Sequence, residues 1–284
     1  MTAKYYIPFD QLSTGTYRQD CPACKKGRSD KTLGVTINLD GSGVAHCFRC
    51  GLIAFNRATG TPTFARPDSH SRPAQKSQTK RTRLSDDGHK VWGSCQPISG
   101  TAKAYLQARH CVLPPEDGDL RWHPSLAQEG STHRGPALVG LITNIFTGEP
   151  MSLHRTWITE HGKAEIEIPK KLLPGHSIAD GCIRLWGDEM VSTGLGIGEG
   201  IETCLTLAHA FQPVWCTIDA GHLRKFPVLP GIEALTIARD MDFTGKKAAH
   251  ECALRWQAAG REVFWSTQSG NDLNDEVAYV RRSA

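Results

Sequence analysis

The stretch GLGIGEGIE, residues 194–202, decides the fold. Gly194 to Gly198 alternates small and apolar residues as a strand does, and Ile201 then begins a spacing in which Ile201, Leu205 and Ala208 share one helical face. Glu199 is thereby expected at the carboxyl edge of a strand, between two glycines that leave room for a ligand. Downstream the alternation repeats. Strands are predicted at Val214 to Ile218, Ala234 to Ala238 and Glu262 to Trp265, and a helical face is predicted through Ala248, Cys252, Trp256 and Ala259, ended by Gly260. Strand alternating with helix predicts a parallel sheet covered by helices, an α/β architecture.

Two more acidic clusters follow predicted strands: Asp240 and Asp242, then Asp272 and Asp275. Singly, each has a plain structural reading, because an Asp before a helix is usually a cap and a Glu between glycines is often a turn residue. As an ordered set at strand ends they are expected to converge. Crowded carboxylates repel unless cations lie between them, and oxygen donors favour magnesium or manganese. Two such ions suit phosphoryl transfer.

At the other end of the chain, Cys21 and Cys24 form one Cys-x-x-Cys pair and Cys47 and Cys50 a second. Four thiolates at this spacing suit a tetrahedral zinc ion, which would hold together a module too small to fold on its own core. A redox dithiol is the lesser alternative. His46 competes with Cys47 for the third ligand position, with the regular spacing favouring Cys47. Between the pairs, Leu33 to Leu39 followed by Asp40, Gly41, Ser42 and Gly43 predicts a hairpin. The other cysteines are assigned no chemistry.

The chain has 284 residues, 39% of them hydrophobic, and a net charge of +4, enough for two domains and compatible with a polyanion partner. No leader-like segment or membrane-length apolar run is read, so a cytoplasmic location without membrane association is expected. Residues 56–84 are rich in Thr, Ser, Pro and basic residues and read as a flexible basic linker or a phosphate-tracking arm. A helix is predicted at Thr101 to His110, with strands at Ala137 to Asn144, Ser152 to Ile158 and Cys182 to Trp186. The expected division is a zinc ribbon over 1–55, the linker over 56–84, a mixed α+β subdomain over 85–189 and the α/β region over 190–284. No Gly-x-x-x-x-Gly-Lys-Ser/Thr phosphate loop occurs, so no helicase motor is read.

With these residues in place, the chain resembles the bacterial and phage primase superfamily, in which a zinc-binding domain precedes a Toprim catalytic domain. The Toprim pattern is a glycine-flanked glutamate after one strand, here Glu199, then Asp-x-Asp and a nearby glycine, here Asp240, Asp242 and Gly245. The middle segments Leu120 to Pro124, Gly135 to Leu138 and Leu153 to Thr156 are also similar to primases of phages and mobile elements. The resemblance implies a Toprim-type sheet flanked by helices, a mixed α+β N-terminal subdomain and a preceding small β zinc ribbon. It also implies a DNA primase, a DNA-directed RNA polymerase that joins ribonucleoside triphosphates on single-stranded DNA for phage, plasmid or mobile-element replication. Structural zinc would sit on the four cysteines. Magnesium or manganese would sit on Glu199, Asp240 and Asp242, with Asp272 and Asp275 completing the catalytic set. Lys31, Arg49, Arg155 and Lys170 would contact nucleic acid, and a helicase would be a separate partner. Two positions depart from the family: Cys24, where cellular primases often have histidine, and Asn271, where relatives often have lysine. The competing class is a non-catalytic zinc and Toprim adaptor that binds DNA in replication or recombination.

Overall fold

The alternation Leu33-Gly34-Val35-Thr36-Ile37 places three apolar side chains on one strand face, and in the computed structural model all three are buried. The structure describes residues 7, 9–24, 31–47, 49–50, 52–56, 80–240 and 242–266. They fall into two units, divided between Lys76 and Ser77.

The first unit is an antiparallel sheet in the order β1 (Gly15–Gln19), β2 (Leu33–Ile37), β3 (Gly43–Cys47) and β4 (Ile53–Asn56). The predicted hairpin joins β2 to β3. Its turn is closed by Asn38 N–H donating to Ser42 O at 2.8 Å and Ser42 N–H donating to Asp40 Oδ1 at 2.9 Å. Gly41 occupies φ +77°, a conformation glycine adopts without steric cost. Among the described residues, the apolar cluster behind this sheet is small and includes Ile7, Leu33, Val35, Ile37 and Ala45. So small a core points to a second source of stability at the cysteines.

The second unit is built on one nine-stranded sheet. Its strands are β5 (Leu120–Ala127), β6 (Arg134–Asn144), β7 (Pro150–Trp157), β8 (Lys170–Leu172), β9 (Gly181–Arg184), β10 (Gly194–Gly198), β11 (Val214–Cys216), β12 (Ala234–Ala238) and β13 (Glu262–Trp265). The order is β13-β12-β10-β11-β9-β6-β7-β8, with β5 also paired to β6. Strands β10 to β13 pair in parallel, and β9 joins them to the antiparallel half through β11 on one side and β6 on the other. The helices are α1 (Asp86–Gly93), α2 (Gly100–Ala108), α3 (Ile201–Leu207), α4 (Ala220–Lys225) and α5 (Phe243–Ala258).

Strand β10 shows how its sequence sorts the layers. Leu195 and Ile197 face the cluster shared with Leu223 of α4 and Ala248, Cys252 and Trp256 of α5. The alternate glycines face the other way, where α3 and Phe211 lie close. A Cβ on Gly198 would meet Cys204 Sγ at 2.9 Å, and one on Gly196 would meet Val214 Cγ2 at 3.0 Å. The glycines of GLGIGEGIE therefore bring helix α3 down onto the strand, with the loop carrying Glu199 at its top.

Three features were not expected. Strand β5 contains Pro124, which cannot donate to a ladder; it lies beside a register shift between His123 and Leu126. Helix α1 has little apolar periodicity and starts from a cap instead, Ser85 Oγ accepting from Gly88 N at 3.3 Å. The end of the predicted linker is docked onto the second unit: Arg81 exchanges backbone hydrogen bonds with Gly175 and Ser177, Arg83 pairs with Glu149 at 2.9 Å, and Leu84 is buried. Residues 57–79 lie outside the described residues. Among the described residues, no helix is long and apolar enough to cross a membrane.

Candidate active site and metal centre

In the first unit, Cys21 and Cys24 precede β2, Cys47 ends β3, and Cys50 follows in the next turn. The four sulfurs lie within 4.8 Å of one another, with Cys21 to Cys50 at 3.7 Å and Cys24 to Cys47 at 3.6 Å. A tetrahedral ion with zinc–sulfur bonds of about 2.3 Å puts its sulfurs about 3.8 Å apart, so the donor set fits zinc. Burial and mutual contact raise the Cys21 thiol and push Cys24 up to about 12. Burial alone would raise Cys47 too, but backbone N–H groups of Cys50 and Arg49 bring it down to about 6. His46 does not share this face. Strand β3 alternates burial, and His46 is exposed where Cys47 is buried.

The carboxylates of the second unit stand at the carboxyl ends of adjacent parallel strands. Glu199 follows β10, Asp240 and Asp242 follow β12, and Asp219 follows β11. Gly245, in the first turn of α5, marks how tightly they meet. A Cβ there would lie 2.8 Å from Asp240 Cβ and 3.0 Å from Glu199 Oε1. Asp242 Oδ1 accepts from Gly245 N at 2.7 Å and caps the helix, the structural role open to an Asp at this position.

Glu199 Oε1 is buried and has no hydrogen-bond partner. A buried carboxylate oxygen left bare is costly, and the cost falls if a cation fills the gap. Burial first, then the charges of Asp240, Asp242 and Asp219, hold the proton of Glu199 until about pH 8. The bare oxygen and the proximity of Asp240 fit a divalent cation with oxygen ligands. Asp272 and Asp275 lie outside the described residues.

A basic group stands beside this acidic one. Glu202, three residues after Glu199 and buried, takes Lys163 Nζ at 3.6 Å on Oε1, Lys170 Nζ at 3.6 Å on Oε2 and Tyr105 Oη at 2.7 Å on Oε1. Burial alone would raise the Glu202 carboxyl, but the two lysines hold it down at about 2. Glu202 Oε2 lies 4.0 Å from where a Gly200 Cβ would stand, so the lysines sit next to the Glu199 loop. Lys170, expected on a nucleic-acid path, is half-exposed here, on β8. Glu202, Lys163 and Tyr105 were missed as site residues. The signal was a second glutamate one helical turn from the first.

Arg155 takes a different place from the expected template-facing one. It is 1% exposed, ion-paired to Glu129, hydrogen-bonded to Leu172 O at 2.9 Å and 5.5 Å from the Trp157 ring centre. On the core face of β7 its two terminal nitrogens bond within the protein, while its Nε, also buried, has no hydrogen-bond partner. In the first unit Lys31 is exposed, whereas Arg49 is half-buried and donates to Cys24 O at 3.3 Å, bracing one cysteine turn against the other.

The carboxylates at successive parallel strand ends coincide with a family match: residues 194–280 match the Toprim domain model. The chain carries a Toprim domain. Upstream of it, residues 82–185 match DUF7146, a domain of unknown function. No curated protein matches the chain. Among solved structures, the primase fragment of the bacteriophage T7 primase-helicase protein is similar at 17% identity over 94% of this chain and 96% of that one, with a TM-score of 0.43. A bacteriophage T7 lagging-strand DNA polymerase structure, with primase domains of two gp4 subunits bound to an RNA/DNA hybrid and dTTP, is similar at 17% identity. That match covers 67% of this chain and 87% of that one, with a TM-score of 0.39. The fold is α/β, a Toprim-type sheet flanked by helices and continuous with a mixed N-terminal half, preceded by a small β unit with a four-cysteine cluster.

Proposed function

We propose that this protein is a DNA primase, a metal-dependent nucleotidyltransferase that joins ribonucleoside triphosphates into short RNA primers on single-stranded DNA. One observation carries the reading: within a Toprim domain, a buried, bare carboxylate oxygen of Glu199 faces Asp240 across a gap kept open by Gly245. In nucleotidyl transfer the 3′ hydroxyl oxygen bonds to the α-phosphorus, the bridging oxygen to the β-phosphorus leaves with the electron pair, and pyrophosphate departs. Divalent magnesium or manganese, when bound, stabilises both the attacking and the leaving oxygen. Glu199 stands at the attacking hydroxyl as a ligand or as the base that takes its proton. Asp240 and Asp242 would hold the cations and so supply charge stabilisation for the triphosphate, and Asp272 and Asp275 would complete the acidic set. Lys170 faces the phosphates of nucleotide or strand.

The division of labour follows the chain: residues 1–55 a zinc ribbon that chooses template bases, with Lys31 on its exposed surface and Arg49 bracing its cysteine turns; 56–84 a basic tether; 85–189 and 190–284 the two halves of the polymerase core. The protein would act in the cytoplasm, in replication of a phage, plasmid or mobile element, with a separate helicase opening the duplex. The test is primer synthesis on single-stranded DNA with ribonucleotides and magnesium or manganese. Product from the wild type, lost by more than about 100-fold in Asp240→Asn, is expected, since removing a cation ligand removes transition-state charge stabilisation. Full activity in Asp240→Asn would refute the reading. DNA binding with no product from any ribonucleotide mixture would favour a non-catalytic adaptor.

A further inference from the structure

Next to the acidic set lies a pocket of about 470 Å³, between the turn at residues 177–180 and helix α4. That is an ordinary size for a small-ligand site. Ile145, Ile178 and Phe226 give it apolar walls, and Lys80, Arg224 and Lys225 give it cations. Its carboxylates are Asp180 and Asp219. Asp219 is engaged by His222, whose Nδ1 lies 2.8 Å from Asp219 Oδ1 while its Nε2 lies 2.8 Å from Ile178 O. Both partners are acceptors, so both ring nitrogens must donate and the imidazole is cationic in this arrangement. The pocket then presents four cationic groups against two carboxylates, one of the cations, Arg224, being shared at 3.9 Å with Glu251.

Asp219 joins the pocket to the acidic site, since its charge also acts on Glu199. The residue before it, Ile218, holds φ +77°, a conformation that a β-branched residue rarely adopts and that concentrates at functional sites. This backbone turn sets the direction in which Asp219 leaves β11.

We propose that this pocket binds a nucleoside phosphate, its ring against Ile145, Ile178 and Phe226 and its phosphates on Lys80, Arg224 and Lys225, as a second nucleotide site beside the metal site. The choice of a nucleotide among phosphorylated ring compounds rests on the primase reading; the pocket and its charge do not.

The test is binding of N-methylanthraniloyl-ATP to the full chain in EDTA, followed by fluorescence and competed with ATP, adenosine or tripolyphosphate. Saturable binding is expected, displaced by ATP at least about tenfold better than by either fragment. Lys80→Met and Lys225→Met should each weaken it about five- to tenfold by removing a charge-assisted contact. Ala179→Trp, an exposed pocket residue enlarged to fill the space, should abolish it with the melting temperature unchanged. No metal-free binding, full binding by Ala179→Trp, or competition by tripolyphosphate equal to that by ATP would each overturn the proposal. Primer synthesis measured on the same preparations separates the two claims: nucleotide held in the pocket without primer synthesis would sink the primase reading and leave the pocket standing, and the converse holds.

Discussion

Replacing Glu199 with glutamine asks whether the acidic site is built for a cation. In the metal-free protein the carboxyl keeps its proton until about pH 8, against an ordinary value of 4.5, because it is buried and faces Asp240, Asp242 and Asp219. At about 1.36 kcal/mol per tenfold change in proton affinity, that difference corresponds to roughly 5 kcal/mol. Water entry and side-chain relaxation reduce it to about half, so about 2 kcal/mol is expected. The neutral form is the one the fold favours. Stability is therefore complete below pH 4.5 and is lost as pH rises through about 8, a range in which the folded state holds a proton the unfolded state has released. Glu199→Gln, neutral throughout, escapes this loss. In EDTA the variant should match the wild type near pH 5 and exceed it by about 2 kcal/mol at pH 9, read from urea midpoints along the pH series. Added magnesium should reverse the order by stabilising only the wild type, with the gain growing up to about pH 8 as the proton to be displaced becomes easier to lose. Parallel pH profiles for the two proteins in EDTA, or equal stabilisation by magnesium, would refute the reasoning.

Gly245→Ala places a methyl group 2.8 Å from Asp240 Cβ and 3.0 Å from Glu199 Oε1, so magnesium affinity should fall about tenfold or more by calorimetry while circular dichroism stays unchanged. Cys47→Ser removes one of four zinc ligands; the first unit should lose its metal and its β-sheet signal together, measured by zinc content and by amide exchange in residues 15–56. Arg184→Met breaks a buried group that reaches Asp188 and Thr143 Oγ1 at 2.6 Å and lies 4.6 Å from the Trp215 ring centre, where β9 joins the sheet halves. A loss of about 3 kcal/mol, or roughly 6–12 °C in melting temperature, is expected by calorimetry.

The parallel half of the large sheet was legible because its strands are short, β10 to β12 are largely buried, and helices α3 and α5 show clear apolar faces. Strands Gly194–Gly198, Ala234–Ala238 and Glu262–Trp265 appear with the expected bounds. The antiparallel half was only partly legible. Strand β5 carries a proline and an irregular register, and β8 has three residues, two of them lysines, so neither has an alternation long enough to read. The four cysteines were legible because two short, local pairs leave a metal few other geometries. Arg155 was misjudged because charge in a sequence suggests solvent, whereas here Glu129 and the Leu172 carbonyl take the two terminal nitrogens of its guanidinium inside the protein.

Glu202 shows why the rest of the site could not be read locally. Its neighbours Tyr105, Lys163 and Lys170 lie 97, 39 and 32 positions away, and no spacing rule connects them. They meet because β9 splices the antiparallel half onto β11, bringing α2 and β8 alongside helix α3. Local alternation placed Glu199 and Asp240 on neighbouring strand ends, since both belong to one repeated strand-helix unit. Cations from outside that unit needed the sheet order itself. Their being fixed on a buried carboxylate one helical turn from Glu199 gives the acidic site an adjacent positive wall, so negative phosphate oxygens arriving with a divalent cation would meet opposite charge on both sides of Gly200. A lone acidic cluster would attract the cation and repel the rest of the same ligand.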